Sequence, residues 1–365
     1  MQSRSNTDDV KRVDSCYNVG NVENVENDIE NVKSINNFDN ICDHAEDDVV
    51  TTTTGTKWKY LVLGGGGIWG LALSGAIEAL LKTRRRCSSL EVNDFEGYVG
   101  TSVGALIALT LCLGIESARL RTIWETRVDW SRLRVGMDAH IVMERYGFDN
   151  RSCLEYLVEL CLSEAGVTND ITLGDMFRLT SRHFCCVVTD LTNSKVVYFD
   201  HRTKPELSVR DAVVASMCVP ILFEPLCIDG ACCVDGGLIE NVAMNFFNVE
   251  ESLVVRVKRA SARKIENWRD YVSAVIRCGQ IAKENRDYDG LSESVRSDSV
   301  YTVWIPDHAP DALEINKLNP EVVRFLSVLG FLQLLPKEVQ KSICSFVANM
   351  THLSLVLHGS MQDVY

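Results

Sequence analysis

Basic residues are in deficit in this chain. It has 37 Lys and Arg against 50 Asp and Glu, a net charge of −13. Nucleic-acid binders gather Lys and Arg on one face, so this balance argues against that class. Contact with a lipid surface stays open, because a local patch can act against the global charge. Long hydrophobic runs are also missing. A spanning helix needs about 20 mostly apolar residues, and the nearest approach, 325–335, is cut by Gln333 and ended by Pro336. The opening MQSRSNTDDVKRVDS lacks the apolar stretch of a secretory signal. Cysteine is plentiful, 14 in 365 residues, but metal or redox spacing is absent. Cys185-Cys186 and Cys232-Cys233 are adjacent pairs inside apolar runs, not CxxC arrangements. These absences lead us to expect reduced, buried thiols, no metal and no cofactor. They also lead us to expect an intracellular protein, cytoplasmic or peripheral to membranes, without a transmembrane segment.

Residues 1–56 contain the near-repeat NVENVENDIENV and end in TTTTGT. Residues 1–57 hold 12 acidic and 5 basic side chains. So much charge with so little apolar content does not support a packed core. We expect a disordered acidic leader, solvated or serving as a partner-binding tail. Beyond it, KYLVL breaks at glycines and reads as a buried strand. Further strands are expected at FEGYV and over 183–190, 196–199, 232–235, 253–258 and 299–305. Helices are expected over 71–82, 105–113, 120–130, 153–165, 211–217, 266–284, 321–332 and 337–357. This alternation predicts an α/β fold: three layers, a mainly parallel central sheet with helices on both faces. We expect a catalytic core over 57–250, with 251–365 completing the same domain as a helical cover.

Three motifs carry chemistry. In Gly64-Gly65-Gly66-Gly67-Ile68-Trp69-Gly70, glycines between a strand and a helix can aim N–H donors at a developing oxyanion. A phosphate loop would need Gly-Lys-Ser/Thr, which is missing. G-x-G-x-x-G fits Gly65, Gly67 and Gly70, without the acidic residue of a dinucleotide site; a purely structural turn is the plain alternative. Gly100-Thr101-Ser102-Val103-Gly104 has the G-x-S-x-G pattern of a nucleophile elbow, against a helix N-cap serine. Ser102 needs a base, yet none of the seven histidines follows a strand in a glycine-rich loop. His183 reads as structural. Val234-Asp235-Gly236-Gly237 offers a carboxylate at a strand end instead, which could take the serine proton directly. A hairpin turn is the alternative there.

In this order the motifs resemble the patatin-like phospholipase family. The likeness extends to Asp211–Pro220 with Phe223 and Pro225, similar to the family's A-S-x-x-x-P segment. Thr189-Asp190-Leu191, with Val196–Phe199 after a turn, is similar to its T-D-x hairpin. The resemblance spans about 60–245. It implies a lipid acyl hydrolase working through a Ser-Asp dyad without histidine or metal, on fatty-acyl esters at a membrane or droplet surface. Ser102 would be the nucleophile, Asp235 the base, and Gly65, Gly66 and Gly67 the oxyanion hole. A lipid-binding or scaffolding protein on the same fold is the alternative. One departure stands out: the family often has Arg or Lys where this chain has Trp69, a change that bears on headgroup preference. Trp69→Arg is accordingly expected to favour phospholipid over a neutral ester. Lys258, Arg259, Arg263 and Lys264, beside Trp268, read either as a contact for anionic lipid heads or as a solvated helix start.

Overall fold

The computed structural model describes residues 58–85, 92–134, 139–259, 264–266, 268–307 and 309–335. The expected acidic leader over 1–56 and the expected helix over 337–357 lie outside the described residues.

KYLVL becomes strand β1 (Tyr60–Leu63), and the glycine loop leads into helix α1 (Gly70–Arg85). β2 (Gly97–Thr101) runs through the elbow into α2 (Val103–Cys112). Then come β3 (Gly147–Asp149), β4 (His183–Asp190), β5 (Lys195–Asp200) and helix α3 (Val209–Met217). They are followed by β6 (Ile221–Phe223), β7 (Leu226–Ile228) and β8 (Ala231–Asp235). β9 (Ser252–Arg259), helix α4 (Trp268–Asp289), β10 (Val300–Ile305) and helix α5 (Pro320–Gln333) complete the series.

β10, β9, β1, β2 and β4 lie side by side in that order, all parallel. β5 and β8 pair with β4 antiparallel, and β7 extends β8. β9 and β10 thus belong to the sheet itself, so the region after 250 supplies strands as well as cover. Alternate residues of the parallel strands serve opposite faces, as the pleat requires. Leu61, Leu63, Tyr98, Cys186 and Val188 join one core under α1, α2, α3 and α5. Val62, Val99, Cys185, Val187 and Val254 join another, beneath Val242, Met244, Phe246 and Phe247, with Tyr288 of α4 at its margin. Burial on both faces explains why these strands read as continuous apolar runs. The apolar run 325–335 lies in and just after α5 and packs against α1. Asn319 caps α5 by accepting from the N–H groups of Glu321 and Val322, with Pro320 at the first helical position.

One junction of this sheet sets the site. β4 has β5 along one edge over residues 185–190. Its other edge is shared: β2 occupies it up to Val187, opposite Thr101, and β8 takes over at Val188, opposite Asp235. β2 arrives parallel and β8 antiparallel, so their carboxyl ends meet head to head. The residue after Thr101 is Ser102.

Candidate active site

Ser102 has φ 56° and ψ −131°. A side chain in that region costs on the order of 1–3 kcal/mol and persists only where its surroundings hold it there. They do so by hydrogen bonds. The Ser102 N–H donates to Ser216 Oγ at 2.9 Å, and the Ser216 hydroxyl donates to the Val187 carbonyl at 2.7 Å. The flanking glycines are required by contact: a Cβ at Gly104 would stand 2.5 Å from the Gly64 carbonyl oxygen, and one at Gly100 would stand 2.3 Å from that of Gly104. Ser102 occupies the N-cap position of α2, yet its side chain makes no capping bond. Its hydroxyl acts instead on the Asp235 carboxyl, which shares the cavity and which it helps to lower.

Asp235 ends β8, with its N–H donated to the Cys218 carbonyl at 2.8 Å. The Gly237 N–H donates to its Oδ1 at 2.7 Å. The chain then enters a short 3-10 turn, Gly236–Leu238, rather than a hairpin. Burial pushes the carboxyl up to about 7, against the lowering effect of the bonds from Ser102 and Gly237. A base that titrates near neutral pH is the kind general-base chemistry uses. Among the described residues, no histidine lines the cavity around this pair. His183 instead bonds Asp200 Oδ2 through Nε2 at 2.8 Å, and His201 stacks on Phe177.

The glycine loop lies against the same cavity. The Gly65 N–H is already taken, donating to the Asn241 carbonyl at 3.1 Å. This corrects the expectation of Gly65 as an oxyanion donor. Its service is proximity: a Cβ there would lie 3.1 Å from that of Ser102 and 2.7 Å from Asn241 Oδ1. Gly66 and Gly67 also line the cavity, and among the described residues their N–H groups have no protein acceptor. Gly67 adopts φ 52°, and a Cβ there would meet the Ala312 carbonyl oxygen at 2.0 Å, so no other residue fits. The Ile68 N–H donates to that same oxygen at 2.9 Å and pins the loop. Asn241 and Ser216 are site residues the motif reading did not single out. Ser216 was within reach of sequence, since it stands in the A-S-x-x-x-P segment.

The cavity measures about 420 Å³. Trp69, Val219, Pro220, Leu238, Ile276 and Leu313 contribute an apolar wall suited to an acyl chain. Trp69 is buried and donates its Nε1–H to the Pro310 carbonyl at 2.7 Å. The Arg259 and Arg277 guanidiniums stand 5.8 Å and 5.9 Å from its ring centre. Lys258 and Arg259 therefore line the cavity from the end of β9 rather than starting a helix. Lys264 is exposed, and Arg263 lies outside the described residues. These neighbours add an expected effect of Trp69→Arg on stability. A third cation would be buried between two others and the Pro310 bond would be lost. We expect a loss of at least about 2 kcal/mol, read as a fall of roughly 4 °C or more in the unfolding midpoint. An unchanged midpoint would show that the position tolerates the charge.

Comparison with known proteins places this geometry in a family. The chain is 23% identical over 226 residues to the uncharacterized protein R571 of Acanthamoeba polyphaga mimivirus, covering 59% of this chain and 73% of that protein. It is 23% identical over 271 residues to the probable lipid hydrolase 463L of Invertebrate iridescent virus 6, covering 73% and 82%. Among solved structures it is similar to VipD of Legionella pneumophila, with TM-score 0.45, 16% identity, and 78% and 67% of the two chains covered. The patatin-like phospholipase family profile matches residues 61–247, more than half of the chain and the whole stretch from β1 past Asp235, and the chain belongs to the patatin-like phospholipase family.

Proposed function

We propose that this protein hydrolyses fatty-acyl esters of phospholipids or glycerolipids through a Ser102–Asp235 dyad and an acyl-enzyme. Family membership carries the general part, lipid hydrolysis. The finer part rests on one observation: the strained, buried Ser102 shares a cavity with the buried Asp235 carboxyl, on which its hydroxyl has a lowering effect, beside two N–H groups that have no protein acceptor among the described residues. Asp235 takes the serine proton as Oγ attacks the ester carbonyl, and Gly66 and Gly67 N–H groups receive the oxyanion. Collapse of the tetrahedral adduct expels the alcohol, which takes the proton from Asp235. Water then attacks the acyl-enzyme, giving its proton to Asp235, and the fatty acid leaves as Ser102 recovers a proton. A fluorophosphonate probe tests the assignment. Wild type should be labelled on the Ser102 peptide and Ser102→Ala should stay unlabelled; labelling of the alanine variant at the wild-type rate would remove Ser102 from the reaction.

The substrate arrives, in this reading, from a lipid surface. Tyr271 and Val275 are 60% and 57% exposed on α4, the helix whose Ala274, Arg277 and Ile281 line the cavity. Large apolar side chains left in water beside a lipid cavity gain by entering a bilayer, about 1.5–3 kcal/mol each. Val275→Asp should lower turnover of vesicle-borne lipid relative to a monomeric ester by roughly tenfold or more. A parallel fall on both substrates would assign Val275 to the cavity itself.

A further inference from the structure

The turn after β8 leaves a polar notch beside the dyad. A Cβ at Gly237 would stand 2.9 Å from Asp235 Oδ1, 3.1 Å from Asn241 Oδ1 and 3.3 Å from Gln280 Nε2. Two of these atoms are acceptors and one is a donor. Gly237 and the three residues around it all line the cavity. Asn241 is oriented by its neighbours: Nδ2 donates to the Gly65 carbonyl and to Glu284 Oε2, both at 3.4 Å, which leaves Oδ1 as an acceptor. That oxygen is also 2.7 Å from the point a Gly65 Cβ would take, and the same point is 3.1 Å from Ser102 Cβ. Asn241 Oδ1 thus links the notch to the nucleophile. Among the described residues, the Gln280 carboxamide has no protein partner.

Helix register brings Gln280 here. Ser273, Arg277 and Gln280, at spacings of four and three, all line the cavity and so share one face of α4. The helix is fastened to the turn itself. Lys283 donates to Glu240 Oε1 at 2.6 Å, and Glu240 lies between Gly237 and Asn241 in the chain. Glu284 accepts from both Arg256 and Asn241. Gln280 falls outside 61–247, the stretch matched by the family profile.

We propose that Gln280 is a positioning residue for the water that cleaves the acyl-enzyme, held at the Gly237 notch by Gln280 Nε2, Asn241 Oδ1 and Asp235 Oδ1. Three polar partners are typical of an ordered water in a protein. The Gln280 amide donates to the water oxygen, and the two O–H groups point at Asn241 and Asp235. One lone pair remains for the acyl carbon on Ser102. As it attacks, the proton facing Asp235 passes to the carboxylate. On collapse the bond from the acyl carbon to Oγ breaks, and Oγ takes that proton back. The inference rests on the acyl-enzyme reading above and adds a residue that serves its second half-reaction and not its first, because acylation consumes no water.

The test uses the full-length protein with Gln280→Met, which keeps much of the side chain's length without its donor, and Gln280→Glu at pH 8, where the side chain only accepts. On p-nitrophenyl hexanoate, kcat should fall roughly tenfold in both, the effect of one lost hydrogen bond to the water. KM should fall with it, leaving kcat/KM, which reports acylation, within about twofold of wild type. Stopped flow should show a nitrophenol burst equal to the enzyme concentration, and mass spectrometry a hexanoyl group on the Ser102 peptide. A fluorophosphonate should label Ser102 in both variants at the wild-type rate, since that step needs no water. If kcat and kcat/KM fall together, or neither moves, in a variant that melts like wild type, Gln280 does not hold the water. Should Gln280→Met fail to fold, the same two quantities in Gln280→Glu decide. Wild type that takes no label on Ser102 would overturn the acyl-enzyme reading and the water site with it; normal labelling with an unchanged kcat removes the water site alone.

Discussion

Asp235→Asn should cost the protein on the order of 10²- to 10⁴-fold in kcat, the usual range for removing a general base, and should make it more stable at pH 8. The two effects share one cause. The Asp235 carboxyl is buried at 5% exposure and raised from 3.8 to about 7. Below about pH 4 the carboxyl is protonated folded and unfolded, and nothing is lost. Between about pH 4 and 7 the unfolded chain ionises while the folded site resists, so stability falls as pH rises. Above about 7 the penalty is constant. A rise from 3.8 to about 7 sets an upper size on the order of 4 kcal/mol. Asn cannot ionise, so the variant escapes the penalty. It should melt close to wild type near pH 4 and clearly higher at pH 8. Wild-type kcat/KM should climb with pH through about 7, where Asp235 becomes able to accept a proton. KM should change little, because the carboxylate acts on the transition state. An Asn variant with near-normal kcat, or one whose melting shift is the same at both pH values, would remove Asp235 as the base.

What could be read from sequence follows the range of the interactions involved. β4 was legible in full, over His183–Asp190, because a strand buried on both faces writes its burial as a continuous apolar run. β3, β6 and β7, three residues each, are too short for any period to show. The helix Leu173–Thr180 is not among the expected helices, although Thr172 and Asp175 make a local cap at its start. α4 runs to Asp289 rather than ending at 284 because Glu284 and Tyr288 are held by Arg256, through an ion pair and a ring contact made across the fold.

The candidate site divides in the same way. Ser102, Asp235 and the glycine loop sit in contiguous motifs, and the head-to-head meeting of β2 and β8 brings them to one point. The residues that hold them there act over long separations. Ser216 lies 114 residues from the N–H it receives, and Asn241 lies 176 from Gly65. Which loop N–H groups stay open was not legible at all. Three adjacent glycines look equivalent in sequence, and only Asn241 makes Gly65 different. Trp69 shows the converse, a residue whose meaning depends on two arginines about 190 and 208 positions away.

Ser102→Ala and Ser102→Gly should both abolish esterase turnover, yet they should differ in stability. Each removes Oγ, and without a nucleophile the remaining groups supply only residual catalysis. Adding Asp235→Asn to either should therefore cost little more, because the pair acts as a unit. Stability separates them through the backbone. Alanine keeps a Cβ at φ 56°, ψ −131°, and so keeps the strain that the elbow imposes. Glycine relieves it, at an entropic cost in the unfolded chain of about 0.5–1 kcal/mol. With strain on the order of 1–3 kcal/mol, the glycine variant should come out ahead by about 1 kcal/mol. For a domain of this size that is a difference of roughly 2–4 °C in the unfolding midpoint. The bond from Ser216 Oγ to the residue 102 N–H persists in both variants, so it does not bias the comparison. A glycine variant less stable than the alanine one would mean that the elbow is not strained. A variant of either kind with substantial turnover would place the nucleophile elsewhere.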